Sequence, residues 1–468
     1  AIKNFKLALN CDHNYFLSYN NIGLVKYKLK KFEEAIEYFK KSILINNQFA
    51  EGYLNIGNSY FEIGQINLAL KNITTSIKIN PNFAPAYNNL GNILKDQNLH
   101  ADAIKNYKDA IKINPRFAEF YNNLGNSLSD INKTEEAIKS IQKAIELNPQ
   151  YYEAHINLGN LYSKKKDFEL AISSYEKASS IKDNFSPALA TLIFHKMNVC
   201  DWSAIDDFSK VKDTLGIDKE EIIPFYTLVM EDNPRNQLLR SINYSKNKLE
   251  KFNLQNQNLS NYENKKIKIG YYSSDFYDHA TMYLISGLLR EYNKKEFEIV
   301  IFNYGKTKTT EFVNSIIDNV DLYKDVSNIP DLEIVRLSRE LKIDIAIDLK
   351  GFTLNSKTKL FAYRLAPIQI NFLGYPGSLG ANFIDYIIAD ETLIPENERK
   401  YYSEKIIYLP NSYQPNDNQR IISQIETKKK DFNFPEDSLI LSCLNSSYKI
   451  TPEELEIWCS ILKKTKNT

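Results

Sequence analysis

Cysteine is scarce and scattered. Cys11, Cys200, Cys443 and Cys459 form no CxxC pair, and only His13 and His195 lie near any of them. That pattern argues against a disulfide framework and a structural zinc site, and predicts a reducing compartment. Charge of one sign is lacking too. Lys plus Arg number 59 against 58 for Asp plus Glu, so no global basic field points to nucleic acid, and Lys428 to Lys430 read as solvated linker. No apolar run reaches the ~18 residues of a membrane span. Neither a charged-then-apolar leader nor an initiator Met stands at Ala1, so the N-terminus reads as cut. A cytoplasmic protein without membrane or nucleic-acid partners is expected. What is present is a globular composition, 43% hydrophobic and 25% charged over 468 residues, which suggests two or three domains.

Self-similarity is the strongest signal. Asn21-Ile22-Gly23, Asn55-Ile56-Gly57, Asn89-Leu90-Gly91, Asn123-Leu124-Gly125 and Asn157-Leu158-Gly159 recur every 34 residues. In register follow Ala35, Ala69, Ala103, Ala137 and Ala171, then Ser42, Ser76, Ala110, Ala144 and Ala178, with Asn-Pro at Pro81, Pro115 and Pro149. Small residues recur where two helices approach closely, and proline stops the second helix. Period and residue types resemble tetratricopeptide repeats, so residues 1–195 are expected to form an α-solenoid. Stacking brings equivalent positions into a row, and Asn21, Asn55, Asn89, Asn123 and Asn157 would line one face with amides. An amide can pair with the main chain of an extended peptide regardless of its sequence. The competing role, bonding between neighbouring helices, stays open.

Residues 196–264 read as a helical adaptor, in which Asp201 caps a helix, ending in the Asn- and Gln-rich linker Asn253 to Asn264. From Lys265, strands and helices alternate to residue 410, which predicts a doubly wound, Rossmann-like α/β lobe with a mostly parallel sheet. Three loops fall at strand ends: Ser273 to His279, Gly351 to Thr353 and Gly374 to Gly380. Such mouths take ligands in open α/β folds, and glycines there let backbone N–H groups approach an anion. The spacing is not GxGxxG, so a dinucleotide site is disfavoured. Residues 411–437 read as a second linker. Leu439 to Leu444 reads as a strand and Thr451-Pro452-Glu453-Glu454 as a capped helix start, so residues 438–468 look like the beginning of a second α/β lobe, truncated.

Taken in order, the array, Cys200-Asp201-Trp202, Gly270 to Phe276 with His279, Arg364-Leu365-Ala366-Pro367-Ile368-Gln369, Leu373-Gly374-Tyr375-Pro376-Gly377 and Asn445 to Ile450 resemble the O-linked N-acetylglucosamine transferases, repeat-bearing enzymes with a two-lobed GT-B catalytic region. The plant O-fucosyltransferases of the SPINDLY type are similar as well. The resemblance implies inverting transfer of a sugar, N-acetylglucosamine from UDP-GlcNAc, to Ser or Thr hydroxyls of proteins, with no metal or further cofactor. It places His279 beside the donor sugar, as base or hydrogen-bond donor, and Lys449 on the donor diphosphate. Gly374, Pro376 and Gly377 would line the sugar pocket, and the asparagine row would thread the protein substrate, with self-association through the repeats as a further possibility. Ser446 departs from the Gln or Asn usual in relatives, which puts its donor contact in doubt. The 468-residue chain alone is expected to bind protein without transferring sugar. A repeat scaffold with a non-catalytic α/β module is the alternative.

Overall fold

The computed structural model describes every residue except 1, 183–184, 219, 253–258, 260–261, 306–309, 421–422 and 466–468. Most of the expected linker Asn253 to Asn264 lies outside the described residues.

Five helical hairpins follow helix Ile2–Cys11: Phe16–Lys28 with Phe32–Ile45, Ala50–Glu62 with Ile66–Ile79, Ala84–Asp96 with His100–Ile113, Ala118–Asp130 with Thr134–Leu147, and Tyr152–Lys164 with Phe168–Ile181. The repeating glycine sits where the first helix of each hairpin meets the second. A Cβ on Gly91 would fall 2.6 Å from the Tyr107 ring, and one on Gly57 2.5 Å from Ile73. The Asn that closes the second helix of each of the first four hairpins has extended backbone and its side-chain oxygen accepts the N–H two residues on, as in Asn80 to Asn82 (3.1 Å) and Asn148 to Gln150 (3.1 Å). This side-chain turn accounts for the recurrent Asn at the exits.

Helix Ser186–Asn198 carries the array into the adaptor. There the Asp201 carboxylate accepts from Ser203 N (3.2 Å), as the sequence predicted, at the start of helix Ser203–Ser209. Arg240, fully buried, donates to the carbonyl of Leu215 (2.9 Å) and to Glu231, fixing helix Pro234–Tyr244 against the rest of the adaptor.

The α/β lobe contains strands β1 (Ile267–Ser273), β2 (Phe297–Asn303), β3 (Leu322–Asp325), β4 (Ile345–Asp348), β5 (Ile368–Asn371), β6 (Tyr386–Ala389) and β7 (Lys405–Tyr408). They form one parallel sheet in the order β3-β2-β1-β4-β5-β6-β7. Alternate residues face opposite layers. Tyr272, Val300, Phe302 and Ala346 pack with Leu360 and Phe361 on one side, while Tyr271, Ile299, Ile301 and Ile347 pack with Met282, Ile285 and Leu289 on the other. Burial on both faces explains why these strands read as near-continuous apolar runs. The array touches this lobe directly: Asn98 Nδ2 donates to Ser327 O (2.9 Å), and Leu332 packs against the cluster around Ile66 and Ile93.

Two expectations need correction. Leu439 to Leu444 forms no strand. It is open chain, with Leu441 53% and Leu444 98% exposed, because no neighbouring strand completes its ladder and backbone groups left unpaired in a sheet prefer water. The helix after it, Pro452–Lys464, has the expected capping box at Thr451 but buries no residue, so the described residues after 438 form a helix without the expected strand. Nor is 411–437 linker throughout. Tyr413 N donates to Asp390 (2.7 Å), and Asp417 is gripped by Arg290 (2.6 and 3.0 Å) and Ser286 (2.9 Å) of helix Ala280–Glu291. The Arg290 guanidinium holds the Asp417 carboxyl well below the usual carboxylate range.

Candidate active site

The sheet reverses its winding between β1 and β4, which makes their carboxyl ends the crevice where doubly wound folds bind ligands. β1 delivers Ser273, Ser274 and Asp275 there. Asp275 N donates to Ser273 Oγ (3.0 Å), Ser274 Oγ donates to Asp275 Oδ1 (3.0 Å), and Lys350 Nζ donates to Asp275 Oδ2 (2.6 Å). Both members of that ion pair are more than nine-tenths buried. Asp348, at the end of β4, shapes the same edge by accepting from Lys350 N (2.8 Å), Gly351 N (3.1 Å) and Thr358 Oγ1 (3.0 Å). Burial nevertheless pushes its carboxyl above the usual range.

His279 is the N-cap of helix Ala280–Glu291, with extended backbone, and its Nδ1 accepts from Thr281 N (3.2 Å). A ring nitrogen that accepts a backbone N–H carries no proton, so the neutral imidazole holds its hydrogen on Nε2. The side chain is 37% exposed, and Nδ1 lies 3.6 Å from Asp275 Oδ2, beyond hydrogen-bond range.

The third loop closes over the second. A Cβ on Gly374 would stand 2.1 Å from Leu349 O, so only glycine lets the two backbones pass. Asn371 Nδ2 holds Tyr375 O (3.1 Å), and Glu404, just before β7, accepts from Ser378 Oγ (2.7 Å) and Leu379 N (2.7 Å). From the adaptor, Ser245 Oγ donates to Leu379 O (2.6 Å). Burial raises the Glu404 carboxyl above its ordinary value.

The structure thus brings His279, Gly374, Pro376 and Gly377 to one edge of the sheet. Ser446 and Lys449 belong to a different surface. Both are exposed, and their segment straps onto the adaptor: Ser447 Oγ donates to Asn198 O (2.7 Å), Trp202 Nε1 to Ile450 O (2.9 Å), and the Tyr448 ring packs 5.3 Å from Phe194. Among the described residues no contact joins Lys449 to His279 or to the Gly374 loop.

The asparagine row runs along the repeats as its spacing predicts, half-buried. Asn55, Asn123 and Asn157 each donate from Nδ2 to an asparagine of the preceding hairpin, Asn20 (3.0 Å), Asn88 (3.0 Å) and Asn122 (2.9 Å), and Asn89 donates to Asn58 (3.0 Å). One N–H of each of these four is therefore committed within the array. Sequence reasoning missed a second column, Asn58, Asn92, Asn126 and Asn160, directly after the glycines; Asn92 and Asn160 accept from Tyr107 (2.8 Å) and Tyr175 (2.9 Å). It also missed Lys350 and Glu404, although Lys350-Gly351 closing an apolar strand run was a usable signal.

Residues 241–430 match the model of glycosyl transferase family 41, and tetratricopeptide-repeat models match 16–49, 57–98, 91–131, 125–166 and 152–185. The chain is 34% identical over 209 residues to the Arabidopsis thaliana protein named probable UDP-N-acetylglucosamine–peptide N-acetylglucosaminyltransferase SEC, a match covering 44% of this chain and 21% of that one. It is 30% identical over 200 residues to the Solanum lycopersicum SPINDLY protein, covering 42% and 21%. A solved Thermobaculum terrenum O-GlcNAc transferase mutant aligns with 81% of this chain and 66% of its own at 19% identity and a TM-score of 0.48. The chain spans about a fifth of the length of the curated relatives it matches. Residues 241–430 thus carry a glycosyl transferase family 41 domain, set behind an array of tetratricopeptide repeats.

Proposed function

We propose that the whole protein is a cytoplasmic protein O-glycosyltransferase, moving N-acetylglucosamine from UDP-GlcNAc to Ser or Thr hydroxyls with inversion. The observation that supports this reading is the position of His279 after β1 and of the Gly374 loop after β5, both at the carboxyl edge of the parallel sheet of a family 41 domain. In this mechanism the loop, clamped by Glu404 and Asn371, packs on the donor sugar. His279 offers Nε2–H to the sugar, because its other nitrogen is occupied as a helix cap. The role of hydrogen-bond donor is therefore favoured over that of general base. Lys449 would offset charge on the departing diphosphate, with Ser446 beside it, and the row Asn21, Asn55, Asn89, Asn123 and Asn157 would hold an extended substrate through the amide groups the array leaves uncommitted.

The 468-residue chain by itself is proposed to bind protein without turnover. Lys449 and Ser446 stand exposed on the adaptor, and the described residues after 438 add no strand. The test uses protein carrying everything its gene encodes, with labelled UDP-GlcNAc, a nucleotide-activated fucose and protein acceptors. Transfer of N-acetylglucosamine that drops at least a hundredfold in His279→Ala and Lys449→Ala supports the assignment. Transfer of fucose points to the SPINDLY activity, and no transfer of either sugar points to a scaffold.

A further inference from the structure

One buried cation at the crevice is not used by the mechanism above. Lys350 Nζ lies 2.6 Å from Asp275 Oδ2, the same oxygen that stands 3.6 Å from His279 Nδ1. One carboxylate oxygen thus has two candidate partners, and the lysine has it. The second carboxylate oxygen is taken by Ser274 Oγ (3.0 Å). We propose that Lys350 is a positioning residue for His279: by occupying Asp275 it keeps the proton off Nδ1, leaves that nitrogen free to cap helix Ala280–Glu291, and so presents Nε2–H at the strand mouth. The proposal rests on the reading of His279 as a donor to the sugar.

The physical argument is a competition. A carboxylate beside an imidazole without another cation draws Nδ1–H toward itself and favours imidazolium. An ammonium in direct contact satisfies the carboxylate first, through a charge-assisted hydrogen bond. The other groups around the ring do not replace it. Tyr277 packs its ring 5.3 Å away, Thr281 Oγ1 lies 3.2 Å from Nδ1, and Asp278 is engaged by Tyr283 Oη. Behind Lys350, Asp348 is satisfied by backbone N–H groups and Thr358.

The chain contains five histidines, so ¹⁵N-histidine labelling with nitrogen-detected NMR can follow His279 directly, assigned by His279→Gln. The expected wild-type signal at alkaline pH is the Nε2–H tautomer. In Lys350→Met the released carboxylate should move the ring to Nδ1–H and raise its titration midpoint by about one pH unit or more, and Lys350→Arg should restore the wild-type pattern. Wild-type tautomer and midpoint in Lys350→Met would overturn the proposal. Should that variant fail to fold, Lys350→Met/Asp275→Asn carries no uncompensated buried charge and still decides. It should keep Nε2–H and the wild-type midpoint, whereas a midpoint lower by about one pH unit or more would mean that Asp275 held His279 all along. Because nothing here is read from turnover, absence of glycosyl transfer would remove the enzymatic reading and leave the lysine's role standing.

Discussion

The array and the α/β lobe both depend on close approaches at glycine, but they meet different neighbours. At the repeating glycines of the array the nearest atom belongs to a side chain, the Tyr107 ring at Gly91 or Ile73 at Gly57, whereas at two loop glycines of the lobe it is main chain, Leu349 O at Gly374 and Ser274 O at Gly305. A side chain can swing by a few tenths of an ångström, whereas a carbonyl in a strand-end loop moves only with its strand. Repeats pack mainly on their neighbours, which limits the spread of damage along the array, apart from the hairpin that meets the lobe through Asn98. The sheet spreads it, since β1 pairs with both β2 and the sequence-distant β4.

The comparison can be broken most sharply at the glycines. Gly374→Ala should destabilise the lobe by about 3 kcal/mol or prevent its folding, while Gly91→Ala should cost about 1 kcal/mol and leave the lobe's transition in place. Separate unfolding transitions by calorimetry check this, and equal losses would remove the distinction. Next in size, replacing Asn55, Asn123 and Asn157 together by Ala deletes three bonds between hairpins, at about 1 kcal/mol each. If the row also binds substrate, affinity for an extended protein should fall at least tenfold beyond what the loss of folded array explains. Unchanged affinity in a titration at a temperature where the variant is folded would leave the row a purely structural seam.

The smallest effect expected is a pH dependence at Glu404. Burial raises its carboxyl above the unfolded value of about 4.3. The stability it contributes when protonated is therefore fully present below about pH 4 and is lost as pH rises through the folded value. Glu404→Gln keeps an oxygen for Leu379 N and removes the titration. Wild type should gain on this variant, by about 1 kcal/mol, as pH falls from about 7 to about 4. Parallel melting curves across that range would show that Glu404 does not carry the effect.

Much of the fold was legible in sequence because its signals are local. The 34-residue period gives the hairpins, their small-residue contacts and their Asn exits, and alternating strands and helices give the parallel lobe. Asp201 and Thr451 were readable as caps for the same reason: a cap is settled within the first turn that follows it. Leu439 to Leu444 shows where local reading ends, since an apolar run becomes a strand only if another strand lies beside it. The asparagine row was visible as a column, but its bonds to Asn20, Asn88 and Asn122 depend on how one hairpin stacks upon the next.

By itself, then, the sequence determined the repeat, the order of the domains, the parallel sheet and the identity of the three strand-end loops, all of which follow from periodicity and short-range sterics. Only the tertiary structure decided that Asp275 belongs to Lys350 and not to His279, that Glu404 clamps the Gly374 loop, and that the segment bearing Lys449 rests on the adaptor. Those choices are made between residues far apart along the chain, where burial sets which partner each charge takes and no spacing in the sequence records it.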